Sequence, residues 1–196
     1  MIAASLSDPR PPELITPRLV LRELCAGDAP AVAAGAGDHR VAQYLIQVPS
    51  PYPLGLARRW VTSRIAWWPE GRGVTMAIAR RGAPDRLIGS ASLRRSASNR
   101  RAELGYWLAH DEWGEGFATE ACHAMLEFGF GDLGLERVYA QVLAGNAASC
   151  RVLAKLGMKR EGELRAHVKK AGKLTDVMIF GLLKAEWTGD RSRSRR

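Results

Sequence analysis

The chain has 196 residues, of which 46% are hydrophobic and 25% charged, and it carries a formal net charge of +9. These values are typical of one globular domain with a sizeable core, and no apolar run approaches the roughly 18 residues of a membrane-spanning helix. We therefore expect a cytoplasmic protein with a flexible leader at residues 1–13, a folded domain at 14–187 and a basic disordered tail at 188–196.

Neither the cysteines nor the charge indicates a metal or nucleic-acid site. Cys25, Cys122 and Cys150 lack CxxC spacing, and the four histidines are scattered, which predicts reduced thiols and no metal. Four arginines against one aspartate in the last eight residues supply +3 of the net charge of +9. Since the basic stretch at residues 94–101 lacks aromatics, we expect no direct nucleic-acid readout, and the charge fits solvated loops and a frayed tail or, as the alternative, an acidic or phosphate-bearing ligand.

The first half of the chain is predicted to form a strand, two helices and a β-hairpin. Residues 13–24 alternate apolar and polar side chains, as a half-buried strand does. Asp28 is the predicted cap of a helix that ends near residue 37, and a second helix spans about 55–68. The β-rich runs 74–80 and 86–93 flank the turn RGAPD and predict the hairpin.

The second half alternates strands and helices. A strand at 101–108 precedes a helix that begins at Phe117, and a strand at 136–143 precedes a helix that begins at Asn146 and ends at Gly157. A last strand covers 174–183. The order β, two helices, three strands, then α, β, α, β indicates an α/β fold without internal repeats.

Gly114 and Gly116 lie between the strand at 101–108 and the next helix. The first N–H groups of a helix lack internal partners and sit at the positive end of its dipole, so a bare turn at this place can hold an anion. The pair also fits a plain tight turn. It does not match a P-loop or a Rossmann GxGxxG motif, because Thr119 occupies the position of the third glycine.

The segments AELGYWL, WGEGFATEA and NAASCRVLAKLGM, in this order, resemble the GCN5-related N-acetyltransferase (GNAT) superfamily in its RimJ/RimL-like branch. The resemblance extends from TPRLVLREL to DVMIFGLLKAEW, nearly the whole domain. It implies a single GNAT-type domain with a mixed, mostly antiparallel sheet, flanking helices and splayed central strands. It also implies acetyl-CoA as cosubstrate and no metal.

The resemblance places the cofactor around the glycine pair. The family signature R/Q-x-x-G-x-G/A matches a segment whose backbone would contact the pyrophosphate, namely Trp113, Gly114, Glu115, Gly116, Phe117, Ala118 and Thr119. Trp113 stands where the family usually has Arg or Gln. The pantetheine arm would pair with Trp107 and Leu108 as an added strand does, and Asn146 would contact the arm or only cap its helix.

The resemblance also supplies candidates for the chemistry. Glu103 is the candidate base that accepts the amine proton, through a water, or else a surface residue that orients a loop. Ser149 matches the serine that protonates the leaving thiolate, or else it only bonds the backbone. Leu153 replaces the tyrosine that many members use, and Val168 stands where RimL-like enzymes carry another acid.

The acceptor side is predicted from aromatic residues. Tyr44, Tyr52, Trp67 and Trp68 would line a slot for a peptide terminus or belong to the core. The expected function is acetylation of a protein or peptide N-terminal α-amine, of the ribosomal-protein type, by a monomer or homodimer. A small amine as acceptor, a non-catalytic acyl-CoA-binding module and a basic RNA- or ribosome-binding protein are the alternatives.

Overall fold

The computed structural model describes residues 10–189, so most of the predicted leader at 1–13 and of the predicted tail at 188–196 lies outside the described residues. Within that range the strands are β1 (Leu14–Ile15), β2 (Leu19–Glu23), β3 (Gly73–Arg80), β4 (Ala83–Ser96), β5 (Arg101–Leu108), β6 (Arg137–Leu143), β7 (Lys159–Lys170) and β8 (Lys173–Leu183). The helices are α1 (Ala29–Gly37), α2 (His39–Ala42), α3 (Leu54–Ile65), α4 (Phe117–Gly131) and α5 (Ala147–Lys155), with short 3-10 turns between elements.

The strands form one sheet in the order β1-β2-β3-β4-β5-β6-β8-β7, in which only the β5–β6 pair is parallel among the described strands. The main core lies between the sheet and helices α4 and α5, and a smaller core lies under α1 and α3. Met76 and Ile78 of β3 enter the main core and Ala77 enters the smaller one, as strand alternation requires. The predicted mixed, mostly antiparallel sheet flanked by helices is confirmed.

The central strands β5 and β6 diverge after a short parallel pairing. Their register is Arg101↔Arg137, Ala102↔Val138 and Glu103↔Tyr139, and it stops there, although both strands continue. Beyond Glu103 the edge of β5 that faces β6 therefore has no partner strand among the described residues. These are the splayed central strands that the family resemblance implies, and the gap between them runs through the middle of the sheet.

No element is predicted between the helix that ends at Gly157 and the last strand, but the structure has the strand β7 in this segment. β7 pairs only with β8, at the edge of the sheet, and nearly all its side chains are exposed. Its sequence KREGELRAHVKK therefore lacks the alternation that marks a strand with one buried face. Charged side chains on an exposed edge also discourage pairing with other chains.

The N-terminal elements differ from the prediction in detail. The predicted strand at 13–24 consists of β1 and β2, and α3 ends at Ile65, before the predicted end at residue 68. Asp28 precedes α1, but its side chain does not cap that helix, because the carboxylate accepts hydrogen bonds from Arg22 and the Cys25 amide. Burial raises the pKa of Asp28, yet these hydrogen bonds outweigh burial and lower the pKa below its ordinary value.

Candidate active site

The segment that leads from β5 into α4 forms a turn with left-handed glycines. Gly114 has φ +86° and Gly116 has φ +80°, a region that residues with a Cβ occupy only with strain. Gly116 is the N-cap of α4, and no described side chain caps its first turn. The first N–H groups of α4 are therefore available to an anion at the positive end of the helix dipole. We call residues 113–116 the glycine turn.

Arg18, just before β2, and Glu120 of α4 hold the glycine turn in place. Arg18 donates to the Glu115 carbonyl at 2.9 Å and forms an ion pair with Glu120 at 2.7 Å, while the Thr16 hydroxyl donates to Glu120 at 2.6 Å. Burial raises the pKa of Glu120, but the hydrogen bonds from Thr16 and Arg18 outweigh it and lower the pKa overall. No local sequence pattern predicts these contacts, because the residues that make them are about a hundred positions apart along the chain.

A second ion pair holds the other side of the turn. Arg80, at the end of β3, pairs with the buried Glu112 at 2.6 Å, and both Arg80 and Arg18 lie over the Phe117 ring. The Trp113 indole donates to the Leu108 carbonyl at 2.9 Å and closes the turn onto the end of β5. The turn is therefore held in one conformation before any ligand arrives.

Glu103 lies at the last β5–β6 pair, where the two strands part. Its carboxylate pairs with Arg94, its cross-strand neighbour on β4, and accepts a hydrogen bond from the Tyr139 hydroxyl at 3.3 Å. Burial raises the pKa of Tyr139, so this phenol stays protonated as the donor. Glu103 is therefore an oriented carboxylate at the mouth of the gap.

Ser149 on α5 meets Tyr106 of β5. The two hydroxyl oxygens are 2.8 Å apart, and the Ser149 amide donates to the Asn146 side chain at 3.0 Å. Asn146 is thus the cap of α5 in this structure, and Ser149 keeps its hydroxyl for other partners. Burial raises the pKa of Tyr106 far above its ordinary value, so Tyr106 remains a neutral donor. The sequence analysis missed Tyr106, since nothing local links it to Ser149.

Aromatic side chains of α3 and of the segments directly before and after it line the α1/α3 side of the gap. We call Tyr44, Tyr52, Trp60 and Trp67 the aromatic wall. Trp68 does not belong to it, so its prediction is wrong: the side chain is buried in the main core, with its ring centroid 6.2 Å from that of Phe128. Trp67 and Trp68 are adjacent and point to different sides of the chain, so both could not line one slot.

Lys170 of β7 fixes the loop that carries part of this wall. Its ammonium group donates to the Leu45 carbonyl at 2.6 Å and to the Val48 carbonyl at 2.7 Å. Burial lowers the pKa of Lys170 from its ordinary value. The β7–β8 hairpin, not predicted from the sequence, therefore contacts the loop that carries part of the aromatic wall.

A cavity of about 920 Å³ connects these groups. Most of the predicted site residues line it: Tyr44, Tyr52, Trp67, Glu103, Trp107, Leu108, Trp113, Gly114, Gly116, Phe117, Ala118, Thr119, Asn146 and Ser149. Val168 lines it too, whereas the predicted cofactor contact Glu115 does not and gives its carbonyl to Arg18. The volume is within the range of small-molecule sites.

Metal and membrane signals are not found in the described part of the chain. Among residues 10–189 no group of three His, Cys, Asp or Glu side chains is arranged to hold a metal ion. No helix within that range is long and apolar enough to cross a membrane. Cys122 is fully buried, and burial raises the pKa of its thiol well above the ordinary value, so it is not a thiolate nucleophile.

The comparison with known families settles what kind of domain this is. The family model described as acetyltransferase (GNAT) domain matches residues 18–159, more than half of the chain. The chain belongs to the GNAT acetyltransferase family. A GNAT relative from Bacillus subtilis, named as the uncharacterized N-acetyltransferase YoaA, is 33% identical over 174 residues, which cover 88% of this chain and 97% of the relative.

Solved structures share the GNAT fold with this chain. Mycobacterium smegmatis RimJ in complex with CoA-disulfide superposes with a TM-score of 0.76 and 24% identity, covering 86% of this chain and 83% of that one. The ribosomal-protein-S5-alanine acetyltransferase of Vibrio fischeri gives a TM-score of 0.78 at 17% identity, covering 91% and 100%. At these identities the likeness shows the fold alone. The chain is thus an N-acetyltransferase of a family whose enzymes use acetyl-CoA, with RimJ/RimL-like neighbours.

The glycine turn generates the first prediction. Gly116→Ala should weaken coenzyme A binding by about tenfold or more, because a Cβ at this position narrows the approach of a phosphate to the first amides of α4. Isothermal titration with coenzyme A measures the affinity.

Gly157 supplies the matched control for the strain. It also has φ +80°, and a Cβ there meets no atom within 4 Å, so Gly157→Ala carries the same backbone strain away from the cavity. Equal affinities for the two variants at equal thermal stability would show that the glycine turn does not hold the phosphates.

Proposed function

We propose that this GNAT enzyme transfers the acetyl group of acetyl-CoA directly to the α-amine of a protein or peptide N-terminus, of the kind that ribosomal proteins present. One observation carries the proposal: a single cavity contains the glycine turn, the gap between β5 and β6, Glu103, Ser149 and the aromatic wall. A phosphate site, an acid-base pair and an acceptor wall in one space are what acetyl transfer between two bound substrates requires.

The cofactor half of the cavity fits acetyl-CoA. The available amides of Phe117, Ala118 and Thr119 fit a pyrophosphate, and the free edge of β5 at Trp107 and Leu108 fits an extended amide-bearing arm. Asn146 and Ser149 open α5 beside that edge and line the same cavity. When bound there, acetyl-CoA supplies the acetyl thioester.

Glu103 acts on the acceptor. A protonated amine has no lone pair for attack, so a proton must leave it, and Glu103 accepts this proton at the mouth of the gap through an intervening water. Arg94 and Tyr139 hold the carboxylate in place. The neutral amine nitrogen then forms the bond to the acetyl carbon while the bond from that carbon to sulfur breaks, and the second proton that nitrogen loses balances the proton that sulfur gains.

Ser149 acts on the leaving group. Its hydroxyl donates a proton or a hydrogen bond to the departing sulfur, and Tyr106 donates to the Ser149 oxygen and so supports the charge that develops there. Leu153, fully buried on α5, cannot take this part. The buried Cys122 is unsuited to an acyl-enzyme intermediate, which favours direct transfer.

The aromatic wall favours a peptide acceptor, because it offers flat apolar surface for the first side chains of a peptide. A fold neighbour named for acetylation of a ribosomal-protein alanine suggests the acceptor to test, although the fold itself does not choose it. Small amines such as antibiotics, polyamines or amino acids are the alternative acceptors, and a non-catalytic acyl-CoA-binding module is the alternative function.

An amine panel tests the acceptor. We expect free thiol to be released from acetyl-CoA with peptides that begin with Ser, Ala or Met, at higher kcat/KM than with polyamines, aminoglycosides or free amino acids. Mass spectrometry should place the acetyl group on the α-amine, and N-terminally blocked peptides should be inert. Turnover confined to small amines would refute the peptide acceptor, and coenzyme A binding without turnover on any amine would favour the non-catalytic module.

The role of Glu103 gives a pH-dependent prediction. Glu103→Gln keeps the shape but accepts no proton, so kcat/KM should fall by roughly 10²- to 10⁴-fold near neutral pH. Part of the rate should return above about pH 8, where an α-amine is already neutral. Glu127→Gln, at an exposed position of α4 outside the cavity, is the matched control. A variant with the wild-type pH profile would remove Glu103 from the chemistry.

The pair formed by Ser149 and Tyr106 gives a double-mutant prediction. Ser149→Ala should lower kcat by about 10²-fold or more through loss of leaving-group protonation, and Tyr106→Phe should lower it less. If Tyr106 acts through Ser149, adding Tyr106→Phe to Ser149→Ala should cost little more. Steady-state kinetics with a saturating peptide measure kcat, and full additivity of the two losses would show that the hydroxyls act separately.

A further inference from the structure

Arg64 of α3 lies in the cavity wall between two tryptophan rings. The central carbon of its guanidinium is 4.0 Å from the ring centroid of Trp67 and 5.4 Å from that of Trp60. Stacking of this kind uses the flat face of the guanidinium, and it leaves the N–H groups around the rim free to donate. The side chain is half-buried and lines the same cavity as Glu103.

Arg64 lacks an anionic partner, in contrast to the arginines around it. Within residues 10–189 no side chain or carbonyl accepts a hydrogen bond from Arg64, whereas Arg94 pairs with Glu103 and Arg72 pairs with Glu70. Burial lowers the pKa of Arg64, and the nearby charge of Arg94 lowers it further. A half-buried cation without a counter-ion is costly, so the place favours an anionic ligand.

The position of Arg64 assigns that anion to the acceptor rather than to the cofactor. The glycine turn leads into α4, which packs on the main core, while α3 packs with α1 on the smaller core at the opposite face of the sheet. The neighbours of Arg64 are Tyr52, Trp60 and Trp67 of the aromatic wall. Phosphates bound at the first turn of α4 would therefore lie on the other side of the sheet.

We propose that Arg64 binds a carboxylate of the acceptor, so that the preferred acceptors carry a carboxylate close to the amine that is acetylated. This inference rests on the proposed function and adds the class of substrate. The rim of a stacked guanidinium matches the two oxygens of a carboxylate. A protonated amine without such a group is repelled by Arg64, whereas an amine that brings its own carboxylate neutralises that charge on entry.

Two sources of the carboxylate fit this chemistry. One is an Asp or Glu side chain among the first residues of a peptide, and the other is the α-carboxylate of a free amino acid. The proposed function takes the peptide source, and the experiment separates the two.

Matched acceptors test the proposal. Short peptides that differ only by Asp or Asn at the first, second or third position are assayed by thiol release with wild type, Arg64→Met and Arg59→Met. Methionine keeps an apolar stem against the tryptophans, and the exposed Arg59 on the same helix is the matched control. At one position at least, wild type and Arg59→Met should prefer the Asp peptide by about 10- to 100-fold in kcat/KM, mainly through KM. Arg64→Met should reduce the preference to about one.

Other results of these assays would overturn the proposal or separate it from the peptide function. The proposal is overturned if wild type prefers neither the Asp peptide at any position nor free serine over its amide, serinamide. It is also overturned if the preference survives in Arg64→Met and Arg64→Gln. An equal loss for Asp and Asn peptides shows only a structural role for Arg64 and overturns it too. If no peptide reacts, the peptide function fails. The carboxylate inference still stands in that case if free serine reacts better than serinamide and only the Arg64 variants lose this preference.

Discussion

The divergence of β5 and β6 is the constraint on which the site depends. Two parallel strands that remained paired would close the sheet, but these strands part after the pair Glu103↔Tyr139. The gap leaves one edge of β5 without a strand partner and joins the two faces of the sheet. Glu103 and Trp107 point to the α1/α3 face, while Tyr106 and Leu108 point to the α4/α5 face, because side chains alternate along a strand. Under the proposed function, one strand thereby serves both substrates from opposite sides.

Ion pairs with the outer strands keep the two sides of the gap in place. Arg18 lies just before β2, and Arg80 lies at the end of β3. Beside the glycine turn, Arg18 pairs with Glu120 and Arg80 pairs with Glu112, and both carboxylates are well shielded from solvent. Beside the aromatic wall, Lys170 donates hydrogen bonds to the loop after α2 and so connects that loop to the β7–β8 hairpin. Partly buried pairs of this kind add conformational definition more than stability. The backbone amides of the turn are therefore oriented before a ligand binds, which is the form of electrostatic help that costs no reorganisation.

The parts of the fold that the sequence predicts are those with local signals. Strand β5, the start of α4 after Gly116 and the Asn146 cap of α5 each follow from a few adjacent residues, and the family motifs lie on the same segments. Strand β7 escaped prediction because neither of its faces is buried. Trp68 could not be told from Trp67, since which of two adjacent aromatics faces the core depends on tertiary packing. Tyr106 and Ser149 meet across 43 positions, and no local pattern encodes such a contact.

The burial of Cys122 bears on whether the acetyl group is transferred directly or through a thiol of the enzyme. An enzyme that passes the acetyl group through a thiolate can release coenzyme A before the amine binds, but Cys122, fully buried and with a raised pKa, is unsuited to this role. Direct transfer, as proposed, requires donor and acceptor to occupy the cavity together, so that their mutual placement supplies much of the rate. A cavity of about 920 Å³ at the gap between the splayed strands has room for this arrangement. Under the proposed function, the opening through the sheet lets an amine on one face meet a thioester held on the other.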